Sequence, residues 1–512
     1  MGRAGGVMRA PSPGRIAVMS LLCGCGDASP PTGGSPVEAP SSTSTTPQST
    51  LPPVLLEEPT FASPEGAEAY GMLELHVHTD VPTTLTLHIT DLCGRRTLTY
   101  EESATEHRVP VAGLHIGEKH QIELEIASEG GTLVQAWEDA FVPMPEGLPG
   151  LEVHAHDPDR LEPGLLVVAP MSPLRTSWVL AYDERMHLVY ALEREVEDLR
   201  WEEGTVLALH DGRGVRWDLF GREVEAWEGE IFLNHELFPL PDGGVLALDH
   251  EWVEEPEYPV DADASETASS TVLSQAVVRY DADYQEVERL SLADVLDTTH
   301  VGFNSVGGDP LDWSHANAVV PWGDDAYVVS VRHLDVVACI GRDGRLRWLL
   351  GDPTGWQEPW ASAFLEPEGA LTWFRHQHAV EVTDDGLLMM FDNGNFGGSP
   401  SSPPDPDYVE VSRGVAWAID EDAGTVREAW SLGYRDLFSF AMGDIDLLPS
   451  GQVLLTYSSS GTLPLQSRLV QLDPDDPDDA VLDVEFTDGN RYTYRAEVVP
   501  GFGLDGVDDS RW

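Results

Sequence analysis

The chain has 512 residues, 41% of them hydrophobic, and a formal net charge of −60. That is long enough for more than one domain and apolar enough for a packed core, while so acidic a surface repels nucleic acid and anionic lipid and argues against both as partners. Lys119 is the one lysine, so positive charge comes almost wholly from arginine, and an anionic ligand needs a local cluster of Arg and His.

Residues 1–25 read as an export signal. Arg3, Arg9 and Arg15 precede a short apolar run, Ile16 to Leu22, too short to span a bilayer. The run ends Leu22-Cys23-Gly24-Cys25, the pattern of a bacterial lipoprotein cleavage site, with Cys25 as the lipidated residue. A plain cleaved signal or an uncleaved anchor are the alternatives. Residues 26–59 are rich in Pro, Ser and Thr and read as a flexible tether. Beyond the leader only Cys93 and Cys339 remain; a disulfide between them is possible, but two cysteines make no framework.

From 60 to 149 the pattern alternates with period two, as in Met72-Leu73-Glu74-Leu75-His76-Val77-His78 and Gln121-Ile122-Glu123-Leu124-Glu125-Ile126. Short strands at close spacing predict a small antiparallel β-sandwich, with His76 and His78 on the exposed face of a strand.

From 150 to 512 a hairpin pattern recurs: an apolar strand, an Asp or Gly turn, and a second strand ending on an apolar or aromatic residue. Its copies are Val179…Asp183…Tyr190, Val215…Gly221…Trp227, Val277…Asp281…Val287, Val336…Asp343…Trp348, Ala416…Asp420…Trp430 and Leu469…Asp473…Val484. Six strand-rich copies predict an all-β chain with a six-bladed β-propeller. The acidic, Ser/Thr-rich stretch Glu254 to Ser274 and the Pro/Ser-rich stretch Gly397 to Pro406 read as surface loops. No stretch reads as a long amphipathic helix.

A histidine recurs in register within this region. His235, His315 and His378 each stand eight residues before a turn glycine (Gly243, Gly323, Gly386), and a run of β-formers follows each glycine. A fourth copy keeps its turn at Gly451 but has Gly443 where the others have His. In a propeller the innermost strand of each blade lines the channel. Alternation along a strand then points His376 and His378 the same way, and likewise Trp313, His315 and Asn317. The densest polar region is Asp312 to Arg413, holding His315, Asn317, Arg332, His333, His376, His378, Asn393 and Arg413. Imidazoles, guanidinium forks and amide donors together suit an anion with several oxygens, such as sulfate or phosphate.

Other readings attach to the same residues. His376-x-His378 presents two imidazoles that zinc could use if His315 or Asp392 supplied a third ligand. Trp313, Trp373 and Trp417 either wall an aromatic pocket or pack the blades. Asp392-Asn393-Gly394 is also a common hairpin-turn sequence.

Asp312-Trp313-Ser314-His315, Ser330-Val331-Arg332-His333, Gln377-His378 followed by Phe391-Asp392-Asn393-Gly394, and Ser412-Arg413 together resemble the bacterial aryl-sulfate sulfotransferase family. The resemblance covers most of the propeller, and the sandwich before it fits the same architecture. It implies transfer of a sulfuryl group from a phenolic sulfate ester to another phenol through a sulfohistidine, with no cofactor and no nucleotide sulfate donor. The implied partners are small molecules, an aryl sulfate and a phenol; the membrane is reached only through the lipid on Cys25. His315, His378 and His376 are the catalytic candidates, with Arg413 forking onto the sulfate. Asn317, Arg332, His333, His235 and Asn393 are candidates for binding the substrate. The resemblance also places the nucleophilic histidine after the arginine motif, and no histidine follows His378. That leaves His376, His235 or His333 as nucleophile, direct transfer from donor to acceptor, or a propeller that binds an anionic or aromatic ligand without turnover.

Overall fold

The computed structural model describes residues 51–202, 204–227, 232–261, 264–395, 408–460 and 465–504. The leader, Cys25, the tether up to residue 50 and the stretch Gly397 to Pro406 lie outside them. Apart from four short 3-10 turns, every regular element among the described residues is a strand.

The N-terminal strands form one five-stranded antiparallel sheet. Leu73–Asp91 and Gly94–Val111 are paired along most of their length, with Thr60–Ala62 added at one end and Lys119–Ser128 and Gly131–Phe141 at the other. Register shifts between His78 and Thr83 bend the long pair, as bulges do. Its two halves share one core containing Leu75, Val77, Leu87, Ile89, Leu98 and Leu124. His76 and His78 alternate with buried Leu75, Val77 and Thr79, so the period-two reading holds there.

Among the described residues six further sheets follow, each with at least four strands paired antiparallel from the innermost outward; Leu311–Asp312 and Glu366–Pro367 add short parallel pairings to the third and fifth. Five of those innermost strands are Leu199–Glu202, Leu233–Pro239, Ala316–Trp322, His378–Val382 and Asp444–Leu447, opening the second to sixth sheets. The first sheet takes its innermost strand from the far end of the chain, Tyr492–Val499, which pairs with Leu165–Met171. Leu151–His156 in turn completes the outer edge of the sixth sheet. From the third sheet to the sixth and on to the first and second, the innermost strands pack on one another in turn; between the second and third sheets it is Thr205–His210, next to the innermost strand, that meets Leu233–Pro239, so the ring closes. This is a β-propeller, stitched shut at both chain ends.

The six hairpins read from the sequence are the third and fourth strands counted outward in the six sheets; Leu151–His156 lies outside the hairpin of the sixth, and the short Glu366–Pro367 outside that of the fifth. Their aspartates have one job. In five of the copies the carboxylate accepts backbone N–H groups across its own turn, as Asp183 does from Arg185 and His187 and Asp281 from Asp283 and Gln285, with Asp343, Asp420 and Asp473 behaving alike. Asp218 serves the remaining turn in the same way. These are side-chain-closed turns, which is why Asp recurs.

Two expectations change. Glu254 to Ser274 is not simply a loop: Val245–Pro259 and Thr267–Tyr280 run on as a long paired hairpin, with Glu254 opposite Thr271. Cys93 and Cys339 are both free, and Cys339 is buried in the fourth sheet.

Where the innermost strands meet, charge is buried. Arg495, 2% exposed, reaches Asp198 at 2.9 Å, Asp444 at 3.2 Å, Glu381 at 3.3 Å and Glu236 at 3.3 Å. Arg200 reaches Glu236 at 2.8 Å and Glu497 at 3.2 Å. Burial opposes Arg495's charge, but the carboxylates of Asp444, Glu236, Asp198 and Glu381 outweigh it and hold the guanidinium well above its ordinary pKa. Removing it strands several buried carboxylates. Arg495→Met should therefore cost about 3–5 kcal/mol in urea unfolding of the folded variant, or prevent folding; a loss below about 1 kcal/mol would show that this contact does not hold the ring.

Candidate active site

The start of each inner strand does not alternate as an ideal strand would. His235, His315 and His376 have φ of 67°, 45° and 52°, in the left-handed region, and the register shifts just after each kink in the third, fourth and fifth sheets. Strained backbone of this kind re-aims side chains. Trp313 therefore does not share a face with His315. It is fully buried in a core between sheets and donates Nε1–H to the His300 carbonyl at 2.9 Å. Trp373 and Trp417 stack on each other in the neighbouring core, so the three tryptophans pack the sheets rather than wall a pocket.

The same kinks bring five histidines into one continuous cluster. His378 lies 6.2 Å from His235 between ring centroids, His235 4.9 Å from His315, His315 4.5 Å from His333, and His333 6.4 Å from His376. Tyr494 of the closing strand packs on two of them, stacked on His235 at 5.8 Å and edge-on to His378 at 4.8 Å. Tyr494 was not among the sequence candidates. The alternation Tyr492-Thr493-Tyr494-Arg495-Ala496 is a strand signal lying beyond the last hairpin copy, and only ring closure brings it to the site.

Three imidazoles are fixed at one nitrogen. His315 Nδ1 donates to the Asp312 carboxylate, His333 Nδ1 to the Asp312 carbonyl at 2.8 Å, and His378 Nδ1 to the Gly443 carbonyl at 2.8 Å. A neutral imidazole holding its proton on Nδ1 has a lone pair on Nε2. His378 Nε2 is buried and has no hydrogen-bond partner among the described residues. The side chain of His315 is 29% exposed, which makes it the accessible end of this trio.

The rings are held neutral. Burial and the Arg332 charge lower His315 to about 3. Burial, then His315, bring His333 to about 3 as well. His378 lies well below its ordinary value through burial, His235, Arg495 and Arg332, and His376 through burial and Arg332. His235 follows through burial and His315.

Arg332 is the cation at the heart of this cluster. It is 6% exposed, makes no ion pair within 4.0 Å among the described residues, and has one long hydrogen bond, 3.5 Å, to the Phe440 carbonyl. Burial lowers it to about 10 against the pull of Asp335 and Asp312, so it stays charged at neutral pH. A buried guanidinium with so little satisfaction calls for an anion.

Arg413, the expected sulfate fork, is otherwise engaged. Its Nε binds Asp392 at 2.9 Å, one terminal nitrogen binds Ser431 at 2.9 Å and the other the Thr372 carbonyl at 2.7 Å. Asn393 donates to the Ser439 and Met442 carbonyls, both at 2.8 Å, pegging the segment that leads to Gly443. Asn317 donates to the Gln377 carbonyl at 2.8 Å and ties the fourth sheet to the fifth. Both amides hold the site's walls. Asp392, expected as a possible zinc ligand, is bound to Arg413 and to the Arg375 and Gly394 amides. His376 and His378 sit at opposite ends of the ring cluster and converge on no common point. Asp312, His315 and His333 do bring donor atoms within 4.8 Å of one another.

Gly443 is where the fourth copy of the register departs, and its role is visible. Its φ is +105°, and a Cβ there would lie 2.5 Å from the Phe391 ring. Its carbonyl orients His378. Gly443→Ala should thus destabilise the protein by about 1–3 kcal/mol in urea unfolding and loosen His378. An unchanged unfolding midpoint would contradict this reading.

Comparison with known proteins agrees with the motifs. A family model described as "Arylsulfotransferase (ASST)" matches residues 151–495. An arylsulfate sulfotransferase, AssT, of Escherichia coli O6:H1 is 31% identical over 151 residues, 26% of this chain and 25% of that protein. The AssT of Lelliottia amnigena is 29% identical over 219 residues, 38% of this chain and 36% of that protein. The match thus spans between a quarter and just over a third of those relatives' lengths. Among solved structures, virginiamycin B lyase from Staphylococcus aureus aligns with a TM-score of 0.29 and 8% identity over 64% of this chain and 86% of that one, a likeness too slight to argue from. Since the family model spans well over half of the sequence, the chain belongs to the arylsulfotransferase family.

Proposed function

We propose that this chain transfers a sulfuryl group from a phenolic sulfate ester to a phenol, with His378 as the nucleophile. The observation that carries the reading is Arg332, a buried, nearly unsatisfied guanidinium set among neutral imidazoles with fixed tautomers.

The family resemblance places the nucleophile after the arginine motif. Read on Ser412-Arg413, that places it in the C-terminal part of the propeller, where Gly443 stands; the assignment to His378 departs from this and takes Arg332, which His378 follows, as the site's arginine. In the first step His378 Nε2 attacks sulfur, the bond from sulfur to the aryl oxygen breaks, and the phenolate leaves with the electron pair. The sulfuryl group then sits on Nε2, and the Gly443 carbonyl accepting from Nδ1–H stabilises the cationic ring. Arg332 binds sulfuryl oxygens as charge shifts through the transition state. In the second step the acceptor's oxygen attacks sulfur as its proton passes to His315 Nε2, whose Nδ1–H rests on Asp312, and His315 then releases that proton to solvent. The N–S bond breaks and returns the pair to His378. A covalent histidine divides one transfer into two easier ones.

The test is release of nitrophenolate from 4-nitrophenyl sulfate, with and without added phenol. Phenol should accelerate release, and His378→Ala or Arg332→Ala should each lower kcat/KM by at least about 100-fold. Because the imidazoles must be neutral to act and titrate far below 6.5, kcat/KM should stay level as pH falls from about 7.5 to about 5. No release by folded protein, together with retained binding of aryl sulfates, would leave a propeller that binds without turnover.

A further inference from the structure

The two-residue turn between the first long strands of the N-terminal sheet, and the link after them, carry Asp91, Cys93 and His115. They meet the outer hairpin turn of the first propeller sheet, which carries Asp183 and His187. Cys93 Sγ lies 3.3 Å from His187 Nδ1, His187 Nδ1 lies 3.4 Å from Asp183 Oδ2, and Asp183 Oδ2 lies 3.0 Å from His115 Nε2. All four donor atoms fall within 4.8 Å of one another. Tetrahedral zinc with bonds of about 2.0–2.3 Å needs neighbouring donors about 3.3–3.8 Å apart, close to these spacings.

The surroundings orient each donor. Asp183 spends its other oxygen on the Arg185 and His187 amides, which leaves Oδ2 turned toward His115 and His187. Asp91 accepts the Cys93 amide on Oδ1 at 2.9 Å, and its Oδ2 stands 3.3 Å from His115 Nδ1. A carboxylate behind the far nitrogen of a histidine is the arrangement that fixes a metal-binding imidazole. His115 is 1% exposed; its Nε2 hydrogen-bonds Asp183, its Nδ1 faces Asp91 Oδ2 without a hydrogen bond, and that Asp91 oxygen also pairs with Arg96 at 3.0 Å.

We infer that Cys93, His115, Asp183 and His187 bind one divalent transition-metal ion of the zinc class. The ion staples the N-terminal sheet to the first propeller sheet. Thiolate, two imidazoles and a carboxylate are a donor set for zinc or cobalt rather than for magnesium or calcium. Binding forms four metal–ligand bonds and releases the Cys93 thiol proton to solvent, with no change of oxidation state. The joint also includes the Ile116 amide donating to the Leu188 carbonyl and the apolar core shared by both parts, so the ion reinforces a contact that already exists.

The test uses the full chain, stripped of metal and titrated with cobalt(II). One equivalent should give the visible bands of a tetrahedral ion and a near-ultraviolet thiolate-to-metal band. Cys93→Ser should lose the thiolate band, and His187→Gln should weaken binding by at least about 10-fold. Cys93 and His187 are only half-buried, so both variants should fold. As a second readout on the unaltered chain, zinc should slow alkylation of Cys93, followed on its own peptide, and a chelator should restore it. Absence of the thiolate band, or alkylation of Cys93 at the same rate with and without zinc, would overturn the inference. Cobalt bound only by Asp312, His315 and His333 would leave Cys93 unprotected and would overturn it as well.

Discussion

Arg495 is the contact on which the ring depends. It stands on the closing strand of the first sheet. Its partners Asp198, Glu236, Glu381 and Asp444 come from the lead-in to the second sheet's inner strand and from the inner strands of the third, fifth and sixth. One guanidinium on the first sheet thereby touches the third, fifth and sixth sheets and the lead-in to the second. Such a buried network is rarely the most stabilising choice, since apolar packing could do as well, but it is strongly specific about which strands meet. Carboxylates outnumber arginines in it, and burial together with the neighbouring acid of Asp198 pushes Glu236 up to about 7 against the pull of Arg495. For this carboxyl the proton is held more tightly in the folded chain than in the unfolded one. Its contribution is present in full at low pH and fades as pH rises through about 7.

The same strands that meet at Arg495 begin with the site. His235 precedes Glu236, Gly443 precedes Asp444, and Tyr494 precedes Arg495. One layer of the channel is buried charge, and the adjoining layer is neutral imidazole. Arg332 and Arg495 both lower His378 from their separate positions, beneath the larger effect of burial. The proposed nucleophile is thus kept unprotonated beside a cation that needs an anion. On the proposed function, entry of a sulfate ester would supply the missing negative charge and satisfy Arg332 without requiring any imidazole to ionise first.

Much of this was legible in the residues. The repeating Asp of the outer hairpins is a local signal, because each carboxylate closes its own turn, and so the propeller could be read from spacing alone. The register of His235, His315 and His378 was equally visible. What spacing could not show was direction. Alternation assumes extended backbone, and the left-handed kinks at His235, His315 and His376 break it, so Trp313 parted from His315 and went to the core. Nor could spacing rank the arginines. Arg332 and Arg413 look alike in a string of letters, and only their partners separate them: Asp392, Ser431 and Thr372 hold Arg413, while Arg332 has one long bond. Gly443 is a related case. Its contribution is a backbone carbonyl and room for Phe391, and neither has a side-chain signature.

The most direct measurement is to locate the sulfuryl group after a single turnover with an aryl sulfate and no acceptor. The protein would be quenched in base and digested, and the acid-labile sulfated peptide sequenced by mass spectrometry. The account predicts one sulfuryl group on His378, absent when Arg332 is replaced by alanine. Sulfation at His315, His333 or His235 instead would contradict the assignment of the nucleophile. Turnover with no covalent species at any histidine would contradict the two-step scheme itself.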